Sequence, residues 1–203
     1  DISWRATYKF GKMMTKERLD PVSGTVVLLV NLEARNQNEG DWLSYQLVMS
    51  ALSAARQEQS LVLLAYNQHN AVQIAGPVKA REGLKMALQL SSQVTTTRGP
   101  ERQLAPPDFA GLRRTIREMD QRMARGTEAP LGRILKIELE NLSSLANLHP
   151  VSMLVRTLLK REVKGAVVTV ISGWNHDSEA LAMAVPRLRG QGYRTVDLFS
   201  ETG

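Results

Sequence analysis

Thr25-Val-Val-Leu-Leu-Val-Asn31-Leu-Glu33-Ala-Arg35 is an apolar run that stops abruptly in polar side chains. An unbroken Val/Leu run of this length predicts a strand at 25–31 covered on both faces, as in a parallel sheet. Ligand chemistry in such sheets sits just past the carboxyl ends of the strands. Asn31, Glu33 and Arg35 therefore fall where a site is expected. They supply an amide, a carboxylate and a guanidinium, groups suited to hydrogen bonding and ion pairing.

Other chemistry-bearing residues are sparse. His69, His149 and His176 are far apart and fall in predicted loops, with neither zinc spacing nor a His-x-x-x-His helix pair. They read as exposed loop histidines. His176 stands out, because it shares the segment Ser172-Gly-Trp-Asn-His176 with Trp174 at the expected functional edge. Trp42, Trp174, His176 and Asp177 form a candidate interface, since aromatics are favoured interface anchors. Core packing of the two tryptophans is the competing reading. The chain has no cysteine, so disulfides, thiolate metal sites and thiol catalysis are excluded. No Gly-x-Ser-x-Gly elbow, phosphate-cradling loop or Gly-x-Gly-x-x-Gly is present. Without a nucleophile–base pair or a cofactor loop, the expectation is a non-enzymatic protein without a cofactor.

The elements that must position these residues follow from periodicity. Strands are predicted at 25–31, 60–66, 71–75, 165–171 and 193–199, the third of them a short antiparallel edge. Residues 36–40 read as a loop, with Asp41 capping a helix to about 57. A helix is predicted over 79–93. Residues 94–107, with three prolines, read as a flexible loop. Asp108 caps a helix to 125, and the turn Gly126-Thr127 opens another whose apolar face runs to Leu145, although 136–140 also alternates like a strand. A helix at 151–161 follows. Asp177 caps a last helix, which Pro186 should kink or end. Strands alternating with helices argue for an open, mostly parallel α/β sheet with helices on both faces. Residues 1–24 form a lead-in arm and 25–203 one globular domain.

The chain has 203 residues, and its 43% hydrophobic content is enough for a real core. No segment approaches the ~18 consecutive apolar residues of a membrane span. The opening Asp1-Ile-Ser-Trp-Arg has no signal-peptide core and reads as the start of a piece of a longer chain. The net charge of +6, with a pI near 9.8, is concentrated in two places. One is the lead-in, where Arg5, Lys9, Lys12, Lys16 and Arg18 alternate with Trp4, Tyr8 and Phe10. The other is the helix face bearing Arg113, Arg114 and Arg117, where interleaved Glu118 and Asp120 favour a solvated, ion-paired surface over phosphate contacts.

Ser3-Trp4-Arg5-Ala6-Thr7, then Lys12-Met-Met-Thr-Lys16-Glu17 and an apolar strand, resembles the "DWRATAR…L.VKE" signature of the bacterial domain-of-unknown-function 58 family. The element order from Ser3 to Phe199 is similar to that of von Willebrand factor A-type domains. The resemblance implies a three-layer, Rossmann-like open sheet. It also implies a metal-ion-dependent adhesion site, built on Asp-x-Ser-x-Ser after the first strand, a Thr from a Gly-Thr turn and an Asp after a late strand. Here Asn31, Glu33 and Arg35 take the first three positions. Thr127 takes the fourth, and Gly173 stands where the late Asp is usual. A guanidinium cannot bind a cation. The expectation is a dismantled site, with Arg35 pairing Glu33 in place of an ion; the competing arrangements are Arg35 pointing to solvent over an empty site, and residual metal binding through Glu33, Thr127 and Asp177.

Relatives in this family are commonly encoded beside MoxR-type AAA+ ATPases and often carry two membrane-spanning helices upstream. The resemblance therefore implies a protein-interaction adaptor or scaffold working with such an ATPase. It would be tethered to the cytoplasmic side of the inner membrane by segments absent from this chain. The rival expectation is a basic surface that binds nucleic acid or anionic lipid.

Overall fold

Val27, Leu28, Leu29 and Val30 are wholly buried, and the strand that carries them is the centre of the sheet. Burying four such side chains contributes on the order of 6–12 kcal/mol gross, an upper bound because the unfolded chain is not fully extended. The computed structural model describes residues 24–97, 108–122, 130–161, 163, 165–173 and 176–200. The elements run β1 (Thr25–Asn31), β2 (Glu33–Ala34), α1 (Gln37–Arg56), β3 (Ser60–Tyr66), β4 (Ala71–Val78), α2 (Ala80–Ser91) and β5 (Thr95–Thr96). They continue with α3 (Phe109–Arg122), α4 (Pro130–Leu148), α5 (Pro150–Lys160), β6 (Val167–Ser172), α6 (Ser178–Gly190) and β7 (Arg194–Phe199).

The main sheet has the order β4-β3-β1-β6-β7, parallel except for the β3–β4 pair. Alternate residues of its strands feed two cores. Val27, Leu29, Val62, Leu64 and Val168 pack against α4, α5 and α6. Leu28, Val30, Leu61, Leu63 and Ile171 pack against α1 and α2. This two-sided burial is why the strands read as continuous apolar runs. Because the chain leaves β1 first for β3 and later returns to β6 on its other side, the order reverses at β1. Asn31 lies opposite Tyr66, and Ser172 follows the Val30–Ile171 pair, so the three strand ends lie side by side.

Several boundaries differ from the sequence reading. Helix α1 starts at Gln37 and is capped by Asn36, whose side chain accepts from the Glu39 N–H at 2.9 Å. The polar residues taken for a loop are its first turn, and Asp41 lies inside it. Strand β4 extends through Gly76-Pro77, a position an edge strand tolerates. Within the predicted loop, Thr95–Thr96 pairs in parallel with Glu33–Ala34. The stretch 136–140 is helical within α4. Helix α6 continues past Pro186, which is exposed. The lead-in arm to residue 23 and Gly126-Thr127 lie outside the described residues.

Candidate functional site

The carboxyl ends of β1, β3 and β6 converge on Asp177, which is 0% exposed. Its Oδ2 accepts from the Tyr66 hydroxyl at 2.6 Å, the Ser172 hydroxyl at 2.7 Å and the Asn31 amide at 3.0 Å. Its Oδ1 is buried without a hydrogen-bond partner. Asp177 occupies the N-cap position of α6, but its side chain makes no cap bond, contrary to its predicted capping role. The three donors at the strand ends hold the carboxylate inward instead. Burial first, and then the Asp177 charge, push the Tyr66 phenol well above its ordinary value, so it stays a neutral donor.

A second chain of bonds crosses the first. Asn31 Oδ1 accepts from the Glu33 N–H at 3.0 Å and lies 3.2 Å from His176 Nε2. Glu33 Oε2 lies 3.0 Å from the same nitrogen and accepts from the Gln68 N–H at 3.2 Å. His176 Nδ1 is 3.0 Å from His149 Nε2. His149 caps α5, with Nδ1 accepting from the Val151 N–H at 3.3 Å. That cap fixes the tautomers. His149 Nδ1 must accept, so its proton is on Nε2 and points at His176 Nδ1. His176 then carries its proton on Nε2, facing the two acceptors Glu33 and Asn31.

The two rings stack at 5.2 Å, and the Tyr66 ring meets both edge-on. Desolvation, outweighing attraction to Asp177, lowers His149 to about 4. His149 is therefore uncharged at neutral pH. Both histidines were expected in exposed loops; they are partly buried here because they span the top of the sheet between α4–α5 and α6.

Arg35 does not pair with Glu33. Its Nη2 lies 2.9 Å from Glu39 Oε1 and donates to the Gly173 carbonyl at 3.4 Å, while its backbone N–H reaches Glu39 Oε2 at 2.5 Å. Ser200 Oγ donates to the same carboxylate at 2.7 Å. Burial pushes the Glu39 carboxyl upward, but the Arg35 and Ser200 hydrogen bonds outweigh it and leave the group below its usual range. The correction has a simple cause. Glu39 is buried in the first turn of α1 and requires a counter-charge, whereas Glu33 is held by His176 and Gln68. Gly173 is part of this packing, since a Cβ there would collide with the Glu39 carboxylate.

Of the expected interface residues, His176 and Asp177 lie at the site. Trp42 is partly buried against the α1–α2 core, the packing alternative. Trp174 and Thr127 lie outside the described residues. Glu39, Tyr66, His149, Ser172 and Ser200 were missed. Only Tyr66 carried a signal, as the polar-tipped end of an apolar strand.

The residues present do not fit the divalent ion of an adhesion site. Asn31 spends its amide on Asp177 and its oxygen on Glu33 and His176. Glu33 is turned to His176 and Gln68, and Gly173 offers no ligand. Among the described residues no three histidine or carboxylate side chains are grouped to hold a metal. Each ring nitrogen of His149 and His176 has a protein partner, which ties both imidazoles into the network. Fold and site together define an α/β domain with a closed polar cluster at the point where its strand order reverses. Comparison with protein-family models, with curated proteins and with solved structures finds no match.

Proposed function

We propose that this is a von Willebrand factor A-type domain whose adhesion site has been rebuilt as an internal hydrogen-bond network, leaving a metal-independent protein-interaction module. The observation that supports it most is the triple-donor cradle on Asp177 at the end of the central strand. There the domain's own amide and two hydroxyls bond one oxygen of the carboxylate, a role a cation would fill in an adhesive relative. The order β4-β3-β1-β6-β7 with an antiparallel edge strand is consistent with the same family. On the resemblance of the lead-in, the module serves as an adaptor or scaffold for a MoxR-type AAA+ ATPase, tethered to the inner membrane by segments outside this chain. Fold alone does not carry that role. The test is binding of the chain to such an ATPase at physiological salt, with and without a chelator added before mixing. Chelator-insensitive binding is expected. Absence of binding refutes the adaptor role. Salt-sensitive capture of duplex DNA, RNA or anionic vesicles in its place supports the basic-surface alternative.

A further inference from the structure

Helix α4 is apolar over more of its circumference than its packing requires. Leu139, Leu142 and Ala146 face the core. Leu131, Ile134, Ile137, Leu145 and Leu148 are each more than half exposed, Leu148 to 84%. At 3.6 residues per turn these five fall within an arc of about 120°, beside the core-facing arc. Helix α3 lies on the opposite flank, where the Lys136 ammonium meets Asp120 at 3.2 Å, so it does not cover the stripe. Contiguous exposed apolar stripes of this kind mark interaction sites.

The stripe has the spacing of a helix-pairing seam. Leu131, Ile134, Glu138, Asn141, Leu145 and Leu148 recur at alternating intervals of three and four residues, the a and d positions of a heptad. The two central positions are polar. Glu138 and Asn141 are exposed, and among the described residues neither side chain has a hydrogen-bond or ion-pair partner. One is a carboxylate that only accepts; the other carries an amide that donates. A polar layer within an apolar seam fixes the register and direction of a helix pair.

We propose that two copies of this chain pair through α4, antiparallel, about a two-fold axis passing between Leu139 and Glu140. In that register Leu131 meets the partner's Leu148, and Ile134 meets the partner's Leu145. Glu138 meets the partner's Asn141. The symmetry repeats this contact, so two amides donate to two carboxylates at the centre of the seam. Other arrangements lose the match. A parallel pair sets Glu138 against the partner's Glu138, carboxylate on carboxylate. An antiparallel pair slipped by one heptad sets Glu138 against the partner's Ile134 or the partner's Leu148, which leaves a buried charge without a donor. An anionic membrane repels the same carboxylate. The seam is short, about 25 Å, so the dimer forms and dissociates with concentration rather than being obligate.

Light scattering of the full chain through the micromolar range tests this, and a concentration-dependent dimer is expected. L148D and N141D should each weaken it tenfold or more, the second by facing carboxylate with carboxylate. Both positions are exposed, so folding is retained, which melting curves check. Direction is read by cross-linking, because the chain has no cysteine of its own. Mixed L131C and L148C proteins should form a disulfide with each other on mild oxidation. Neither should do so alone, since like ends lie about 25 Å apart. A monomer at every concentration overturns the proposal, as does a dimer that L148D and N141D leave intact. Self-cross-linking of L131C overturns the antiparallel register. Flotation with phosphatidylglycerol vesicles that L148D abolishes, without a dimer in solution, also overturns it. The dimer stands apart from the adaptor reading: ATPase capture by a strictly monomeric chain would sustain the adaptor and refute the dimer.

Discussion

Placing aspartate at residue 31 tests the logic of the polar cluster. In the native chain the Asn31 amide donates to Asp177 Oδ2 at 3.0 Å, with Tyr66 and Ser172 completing the cradle. Asn31→Asp replaces that donor with a carboxylate of the same shape. Two charges 3 Å apart repel by about 5 kcal/mol at an effective dielectric of 20, and the lost hydrogen bond to a charged group is worth about 1.5–3 kcal/mol more. The pair escapes most of this by binding one proton and sharing it. Taking up that proton at pH 7, from an ordinary aspartate value of about 3.9, costs about 4 kcal/mol. At pH 5 the same step costs about 1.5 kcal/mol. The variant should therefore be destabilised by about 4 kcal/mol at pH 7, with the deficit shrinking by about 1.4 kcal/mol for each pH unit lowered. Urea unfolding of both proteins across pH 5–7.5 measures it. A deficit under about 1 kcal/mol at pH 7, or one that does not change with pH, refutes the proposed arrangement around Asp177.

Other perturbations have equally defined outcomes. His149 is held at about 4, below its ordinary 6.5, so the unfolded state binds the extra proton between those values. The stability contributed by neutral His149 is full above pH 6.5, falls as pH drops toward 4 and levels off below that. The difference corresponds to about 3 kcal/mol, reduced to ~2 kcal/mol by solvent screening at a partly exposed ring. His149→Asn, which keeps a capping acceptor, should flatten that acid limb in urea titrations. Tyr66→Phe leaves Asp177 without its shortest bond and should cost about 1–3 kcal/mol by denaturant unfolding. Gly173→Ala drives a methyl into the Glu39 carboxylate and should cost about 1–3 kcal/mol. Adding Glu39→Ala should remove most of that increment in a double-mutant cycle.

How much of this was legible in the sequence depended on whether a signal was local. The runs of β1, β3 and β6 were readable because both faces of each strand are buried, so apolar residues are consecutive. Tyr193–Phe199 and the antiparallel strand after residue 71 were placed to within a few residues. The two-residue ladder of Glu33–Ala34 with Thr95–Thr96 is too short to leave a pattern. The start of α1 was missed because Asn36, Asn38 and Gly40 are turn-forming types, yet here Asn36 caps and Glu39 is buried. That error propagated to the site. With Glu39 assigned to a loop, Glu33 was the nearest partner for Arg35. The meeting of His149 with His176, and of Asn31 with Asp177, is created by the crossover that brings β6 beside β1. Separations of 27 and 146 residues carry no local trace of such contacts.

Isothermal titration with Mg²⁺ and Mn²⁺ at pH 7.5 distinguishes a self-satisfied polar cluster around Asp177 from a metal site. No saturable heat into the millimolar range is expected for the native chain. Micromolar binding would contradict the self-satisfied cluster.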